Sequence, residues 1–140
     1  LTPNEFTVSS ILWALSSVET SELKLSKRDF HYELNVKDIV NTATDIYKQG
    51  TSIVQANSHL ANGYLAVLTN NLEVQLSEEF FHVEMVGDCQ RTKHSYELMF
   101  KMYDSLRDLP KTFELKAKMD LEGLIVPFEG WRAMIRTAAL

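Results

Sequence analysis

Two side chains in the middle of the chain have a spacing that metal chemistry uses. Glu79 and His82 stand three residues apart, which is the Glu-x-x-His spacing of helical bundles with carboxylate-bridged metal ions. Such a centre also needs a second Glu-x-x-His pair and two further glutamates. The other histidines, His31, His59 and His94, have no glutamate three residues before them. The sequence therefore predicts no metal site and no cofactor.

A second candidate for chemistry is a thiol. Cys89 is the single cysteine of the chain, so it cannot form a disulfide within it. A reactive thiolate needs a cationic neighbour, and the nearest cation in sequence is Arg91. We expect a plain free thiol. The chain also lacks a Gly-rich phosphate loop, a Gly-x-Ser-x-Gly motif and a His-Glu-x-x-His motif. We predict that it is not an enzyme.

Charge divides the chain into an acidic and a basic part. Residues 1–90 have 5 Lys/Arg and 12 Asp/Glu, a net charge of -7, whereas residues 91–140 have 9 Lys/Arg and 7 Asp/Glu, a net charge of +2. A surface that faces phosphates is therefore expected in the C-terminal third. No apolar run approaches the roughly 20 residues of a membrane span, and no signal or transit peptide is visible. The chain opens at a Thr-Pro turn without Met, which we interpret as a fragment of a longer protein.

Short amphipathic helices must position these side chains. Apolar residues recur every three or four positions, and Gly or Asn-Asn turns separate the runs. Gly50, Gly87 and Gly123 stand where helices are expected to end, and Pro110 stands where one is expected to begin. The predicted helices span 5–17, 36–49, 54–70, 72–86, 93–106, 110–122 and 127–140. Each has one apolar stripe, so the pattern predicts an all-α fold in which helices pack on helices.

The C-terminal helices contain a repeated pattern. Tyr96 opens the sequence Tyr-Glu-Leu-Met-Phe, and Trp131 opens Trp-Arg-Ala-Met-Ile 35 residues later. Met119 and Gly123 stand between them, as Met85 and Gly87 stand before Tyr96. A period in the thirties with two helices per repeat is typical of a solenoid.

Two segments resemble pentatricopeptide repeats. The run from Thr2 to Leu12 is similar to the opening of such a repeat. The run from Lys118 to Pro127, followed by Trp131 to Ala138, is similar to the end of one repeat and the start of the next. The resemblance implies an α-solenoid of about three to four repeats over residues 1–140, built from antiparallel helix pairs. The repeats span about 1–50 with an insertion at 18–35, then 51–90 and 91–125, and 126–140 is a truncated repeat.

The same resemblance implies a surface for single-stranded RNA, because the first helices of such repeats line a concave face that binds about one base per repeat. The family's base-reading positions fall on Ser9, Ser58, Glu97 and Arg132, and the closing positions fall near Thr92 and Pro127. No complete base-reading pair of the usual type is present. We therefore expect RNA contacts that are not base-specific. The candidate contact residues are Ser9, Ser58, Arg91, Lys93, Lys101, Arg107, Arg132 and Arg136.

Three functions fit this resemblance. The first is an RNA-binding and scaffolding protein in mitochondrial RNA metabolism or translation, with a ribosome-associated subunit as the particular case, which would contact mRNA or rRNA and protein neighbours. The second is a scaffold that contacts only proteins, in which the basic residues form a solvated helix face balanced by Glu97, Asp104 and Asp108. The third is an RNA-binding arm of an enzyme whose catalytic residues lie elsewhere.

Overall fold

The computed structural model describes residues 5–17 and 36–138, and all secondary structure within these two ranges is helical. The predicted all-α class is therefore confirmed, while the proposed insertion at 18–35 lies outside the described residues. The α-helices are α1 (Glu5–Ser16), α2 (Val36–Ile53), α3 (Ser58–Asn70), α4 (Val74–Glu79), α5 (Lys93–Leu106), α6 (Leu109–Leu121) and α7 (Phe128–Ala138). A π-helical turn at Phe80–Glu84 continues α4, and a 3-10 turn spans Gly87–Cys89. None of the described helices is both long and apolar enough to cross a membrane.

The chain divides into two compact units, an N-terminal unit of Leu1–Gln90 and a C-terminal unit of Arg91–Leu140. The boundary falls where the sequence changes from acidic to basic and where one predicted repeat gives way to the next.

Helix α3 is the centre of the N-terminal unit. Ten consecutive residues, Leu60–Thr69, are buried. A helix that is buried on every side needs neighbours all round, and α3 contacts α1, α2 and α4. Aromatic rings strengthen this core, because Tyr47 on α2 stacks on Tyr64 at a centroid distance of 4.8 Å. The ring of Phe80 meets both tyrosines edge-on, at 5.5 and 4.9 Å.

The C-terminal unit has a similar three-helix packing. Helices α5 and α6 form a pair joined by a short connection, and α7 packs on both of them, more extensively on α5. The core contains the fully buried residues Met99, Phe100 and Ala133 and the nearly fully buried Tyr96 and Met119. In the N-terminal unit, α3 likewise packs on both α1 and α2 and more extensively on α1. The described helices of the two units therefore share this pattern of contacts.

Polar caps fix where the helices begin. The side chain of Asn57 accepts a hydrogen bond from the backbone N–H of Leu60 at 2.9 Å, which starts α3. The carboxylate of Asp108 accepts from the backbone N–H of Lys111 at 3.1 Å. The predicted role of Pro110 in the first turn of α6 is confirmed. Gly123 follows α6 with a φ of 72°, as expected for a residue that ends a helix.

The predicted end of the second helix was wrong. Gly50 lies inside α2, which continues to Ile53, and Gly50 is buried. A Cβ atom at this position would lie 2.7 Å from Cγ1 of Val8. The glycine therefore permits the close approach of α1 to α2 and does not form a turn. The next helix consequently begins at Ser58, four residues later than the predicted 54.

The predicted helix at 72–86 is also different in the structure. Leu72 has a left-handed φ of 58°, so α4 begins only at Val74. After Glu79 the chain follows the wider π-helical turn, which ends at Glu84. A π-helical turn interrupts the 3.6-residue period on which the prediction depended. The predicted helix at 93–106 has the bounds of α5, and 110–122 lies within one residue of α6.

Candidate nucleic-acid interface

One exposed stripe of α5 alternates in charge. Lys93, Glu97, Lys101 and Asp104 follow each other at intervals of four, four and three residues, so they share one face of the helix. Lys93 and Lys101 are exposed, whereas Glu97 and Asp104 are partly buried. The ring Nδ1 of His94 lies 3.2 Å from the carboxylate of Glu97. The two lysines are thus the most accessible charges of this stripe.

Helix α7 contributes two of the predicted arginines, Arg132 and Arg136, and Arg136 contacts the α5 stripe. Nη1 of Arg136 donates a hydrogen bond to Oδ2 of Asp104 at 3.0 Å, a contact between α7 and α5. Nη1 of Arg107 lies 3.8 Å from Oδ1 of the same carboxylate. Arg132 stands one turn before Arg136 and is exposed. Asp104 therefore brings together two of the predicted RNA-contacting arginines and neutralises part of their charge.

The predicted cations form two groups. Arg91, Arg107 and Arg136 are each in an ion pair, with Glu122 for Arg91 and with Asp104 for the other two. Within the described part of the chain, Lys93, Lys101 and Arg132 make no ion pair. The Asp104 side chain is only 14% exposed, so the two arginines that it pairs with would leave a mostly buried carboxylate behind if they moved to another partner. The other three already present their charge to solvent.

The two predicted serines lie in the N-terminal unit. Ser9 is on α1 and is 6% exposed. Ser58 is the first residue of α3, and its hydroxyl donates a hydrogen bond to the backbone carbonyl of Gln90 at 2.7 Å. Ser9 is therefore buried, while the Ser58 hydroxyl holds the end of the N-terminal unit against α3.

A polar network joins the start of α5 to the end of α6. The hydroxyl of Tyr96 donates a 2.7 Å hydrogen bond to Oε2 of Glu122. Lys118 and Arg91 approach Oε1 of Glu122 at 3.3 and 3.9 Å. The hydrogen bond from Tyr96, followed by the contacts with Lys118 and Arg91, lowers the pKa of the Glu122 carboxyl. Burial and the adjacent carboxylate raise the pKa of Tyr96 to about 12.

A cavity of about 350 Å³ lies beside this network in the C-terminal unit. Arg91, Lys93, Tyr96, Met119, Leu124 and Ile125 are among the residues that line it. From the sequence, the last base-reading position of a repeat was expected near Thr92 and Pro127. In the structure Thr92 also lines the cavity, and Pro127 is buried. The cavity thus combines cations with aliphatic side chains.

The residues with metal or thiol potential are not grouped into a site. Glu79 and His82 are both exposed, and among residues 5–17 and 36–138 no three His, Cys, Asp or Glu side chains form a cluster that could bind a metal ion. The half-buried thiol of Cys89 lies 4.0 Å from the hydroxyl of Tyr47. Burial, followed by the contact with Cys89, raises the pKa of Tyr47.

The sequence reasoning missed two features of the C-terminal unit. The contact between Arg136 and Asp104 joins residues 32 positions apart, so no local pattern could reveal it. The second feature is the exposure of Leu121 and Ile125, each 89%. It was not expected from the sequence, because the segment from Lys118 to Pro127 was interpreted only as the end of a repeat. The ion pair of Arg107 with Asp104 has i,i+3 spacing, which is a signal that the sequence does contain.

The described residues thus define an all-α protein with a partly basic face on α5 and α7. No family model matches the chain, and neither a curated protein nor a solved structure matches it.

Proposed function

We propose that the chain is a pentatricopeptide-type helical-repeat module that binds single-stranded RNA through α5 and α7 without reading its sequence. The observation that carries this proposal is the set of Lys93, Lys101 and Arg132, three exposed cations on these two helices that make no ion pair within the described residues. Charges in this state can bind phosphates without first giving up a protein partner.

The packing of the helices supports the repeat interpretation. Among the described helices, α3 packs on α1 and α2 and most extensively on α1, and α7 packs on α5 and α6 and most extensively on α5. Stacking of this kind is how helical repeats build a continuous surface from their first helices. Helices α5 and α7 are those first helices in the C-terminal unit.

The biological setting that we propose is mitochondrial RNA metabolism or translation, with a ribosome-associated subunit as the particular case. This part depends on the resemblance to pentatricopeptide repeats. It is tested by cosedimentation of the full-length protein with mitochondrial ribosomal subunits, before and after RNase treatment. Absence of the protein from mitochondria would refute it.

Binding of a single-stranded RNA across a salt series tests the RNA contact directly. The test variant replaces three residues with Ala: Lys93, Lys101 and Arg132. A control variant removes the same charge from α6, where Lys111, Lys116 and Lys118 pair with Glu114, Asp120 and Glu122. Removal of one phosphate contact should reduce the slope of log K against log salt by about 0.7, so the slope should fall by about 2 in the test variant and little in the control. Equal reductions would contradict the proposed face.

A second function, a scaffold that contacts only proteins, is favoured by a different observation. The C-terminal unit exposes several large apolar side chains: Leu121 and Ile125 at 89%, Phe128 at 72% and Ile135 at 67%. Exposed apolar side chains that form a contiguous patch mark contacts with proteins or membranes. If the 140-residue chain does not bind RNA even at low salt, this second function is the one to pursue.

A further inference from the structure

The cavity in the C-terminal unit has an aliphatic lining that is partly open to solvent. Met119 is buried at its inner side, while Leu124 and Ile125 on the turn after α6 are 42% and 89% exposed. Because exposed aliphatic side chains are unfavourable in water, a ligand that covered this turn would be stabilised by their burial.

The charges that line the cavity are positive. Arg91 and Lys93 line it, and the nearest acidic group of the network, Glu122, is already contacted by Tyr96, Lys118 and Arg91. An acidic ligand is therefore complementary to this cavity, and a basic ligand is not.

A nucleotide base fits the lining less well than an aliphatic side chain. Bases bind in single-strand sites mainly by stacking on aromatic rings or by hydrogen bonds to their edges. The aromatic side chain in the lining, Tyr96, is only 2% exposed, and its hydroxyl is bonded to Glu122. The accessible lining is aliphatic, from Leu124 and Ile125.

We propose that this cavity docks a partner peptide in which an aliphatic side chain is flanked by Asp or Glu. The aliphatic side chain packs against Met119, Leu124 and Ile125, and the acidic flanks face Arg91 and Lys93. A volume of about 350 Å³ accommodates one such side chain with its adjoining backbone. This site goes beyond the proposed RNA contact. The two share Lys93, whereas Lys101 and Arg132 belong to the RNA contact alone and Leu124 and Ile125 to the cavity alone.

A peptide array tests the proposal. The immobilised decapeptides each have one central residue, varied over all apolar types, with flanks of Glu, Ser or Lys, and the labelled 140-residue chain is the probe. We expect binding to Leu or Ile with Glu flanks, weaker binding with Ser flanks and none with Lys flanks. Equal binding to all flanks, or no binding to any Glu-flanked peptide, would overturn the proposal.

Matched variants locate the binding. Ile125→Asp should reduce binding of the best peptide at least tenfold, because it places a carboxylate in the aliphatic lining. Phe113→Asp is the control, since Phe113 is also exposed, at 48%, but does not line the cavity. A second pair of variants tests the charge: Lys93→Glu should weaken binding of the Glu-flanked peptide, whereas the control Lys111→Glu, outside the cavity lining, should not. If Phe113→Asp weakened binding as much as Ile125→Asp, the peptide site would lie elsewhere and the assignment would be wrong.

RNA is included to separate this site from the proposed function. Replacement of Lys101 and Arg132 by Ala should weaken binding of single-stranded RNA and leave peptide binding unchanged, whereas Ile125→Asp should do the reverse. RNA binding that Ile125→Asp abolishes, together with no peptide binding, would assign the cavity to nucleic acid and overturn the proposal.

Discussion

Gly130 determines how closely α7 can approach α5, and its substitution gives a test of the C-terminal unit. A Cβ atom at this position would lie 2.7 Å from Cγ1 of Val126 and 3.0 Å from both Cε2 and Cζ of Phe100. Real Cβ atoms essentially never come within 3.0 Å of another atom. Phe100 is fully buried and Val126 is 8% exposed, so neither side chain has free space into which it can move.

The expected effect of Gly130→Ala is the difference between two opposing contributions. Alanine stabilises a helix interior by about 1 kcal/mol relative to glycine. Overpacking in a closed site costs about 1–3 kcal/mol. Because the new methyl group is blocked on two sides, we place the cost at the upper end of that range. The free energy of unfolding should therefore fall by about 1–2 kcal/mol.

Urea denaturation followed by far-UV circular dichroism measures this change. A second substitution, Val126→Ala, removes the nearest methyl group and should itself cost about 1–2 kcal/mol. The double variant should lose about 1 kcal/mol less unfolding free energy than the two single variants lose together, because the space left by Val126 accepts the methyl group at 130. Gly123→Ala is the control, since its cost comes from a φ of 72° and no atom lies within 4 Å of its Cβ. That cost should add normally to the cost of Val126→Ala.

Two results would refute this reasoning. If Gly130→Ala raised the free energy of unfolding by about 1 kcal/mol, the site would behave like an open helix surface. If the double variant were additive, the methyl group of Val126 would not be the obstacle. The first result would mean that α7 does not lie against α5 as described, and the second would leave Phe100 as the side chain that blocks the methyl group.

The remaining predictions concern three polar residues of the same unit: Tyr96, Asp104 and Arg107. Tyr96→Phe removes the hydrogen bond to Glu122, so the free energy of unfolding should fall by about 1 kcal/mol and an NMR titration should show a higher pKa for Glu122. Because the pKa of Tyr96 rises from 10.0 to about 12 on folding, the neutral phenol is favoured, and stability should fall between pH 10 and 12 in the wild type but less in Tyr96→Phe. Asp104→Asn frees Arg136 and should tighten RNA binding, steepening the salt slope by about 0.7 for each additional phosphate that the protein neutralises. Arg107→Gly should raise the free energy of unfolding by about 1 kcal/mol relative to Arg107→Ala, because Arg107 has a left-handed φ of 56°.

For each of the three residues, one outcome would contradict the reasoning. An unchanged pKa of Glu122 in the Tyr96→Phe variant would show that the hydrogen bond does not hold the carboxylate in its charged form. Weaker RNA binding by Asp104→Asn would place the RNA away from Arg136. Equal stability of Arg107→Gly and Arg107→Ala would mean that this residue is not held in the left-handed conformation in solution.

The helical class and most helix positions could be predicted from the sequence because they depend on local signals. The apolar period, the capping side chain of Asp108 and the glycine at 123 are all encoded within a few residues of the helix that they define. Gly50 shows where such reasoning fails. The local sequence does not distinguish a glycine inside a helix from a glycine that ends one. At Gly50 the distinguishing feature is the contact with Val8, which is distant in sequence.

The candidate interface could be predicted only in part. The cations were visible as a basic third of the chain, but whether a cation is neutralised depends on which carboxylate the fold brings to it. Arg132 and Arg136 look equivalent in sequence, yet Arg136 contacts Asp104, which is 32 positions away. A cavity formed by the ends of α5 and α6 depends in the same way on packing between residues that are far apart in the sequence.

Charge pairing provides the strongest argument for where ligands meet the C-terminal unit. On α6 three lysines pair with carboxylates of the same chain segment at i,i+3 or i,i+4: Lys111 with Glu114, Lys116 with Asp120 and Lys118 with Glu122. On α5 and α7 the described structure leaves Lys93, Lys101 and Arg132 without an ion pair. If these cations served only to keep the protein soluble, it would not matter whether they were paired with carboxylates, as on α6, or left without an ion pair, as on α5 and α7. Cations left without ion pairs on two helices that pack together are therefore the ones that an anionic partner would select, and the comparison of α6 variants with α5 and α7 variants measures that difference directly.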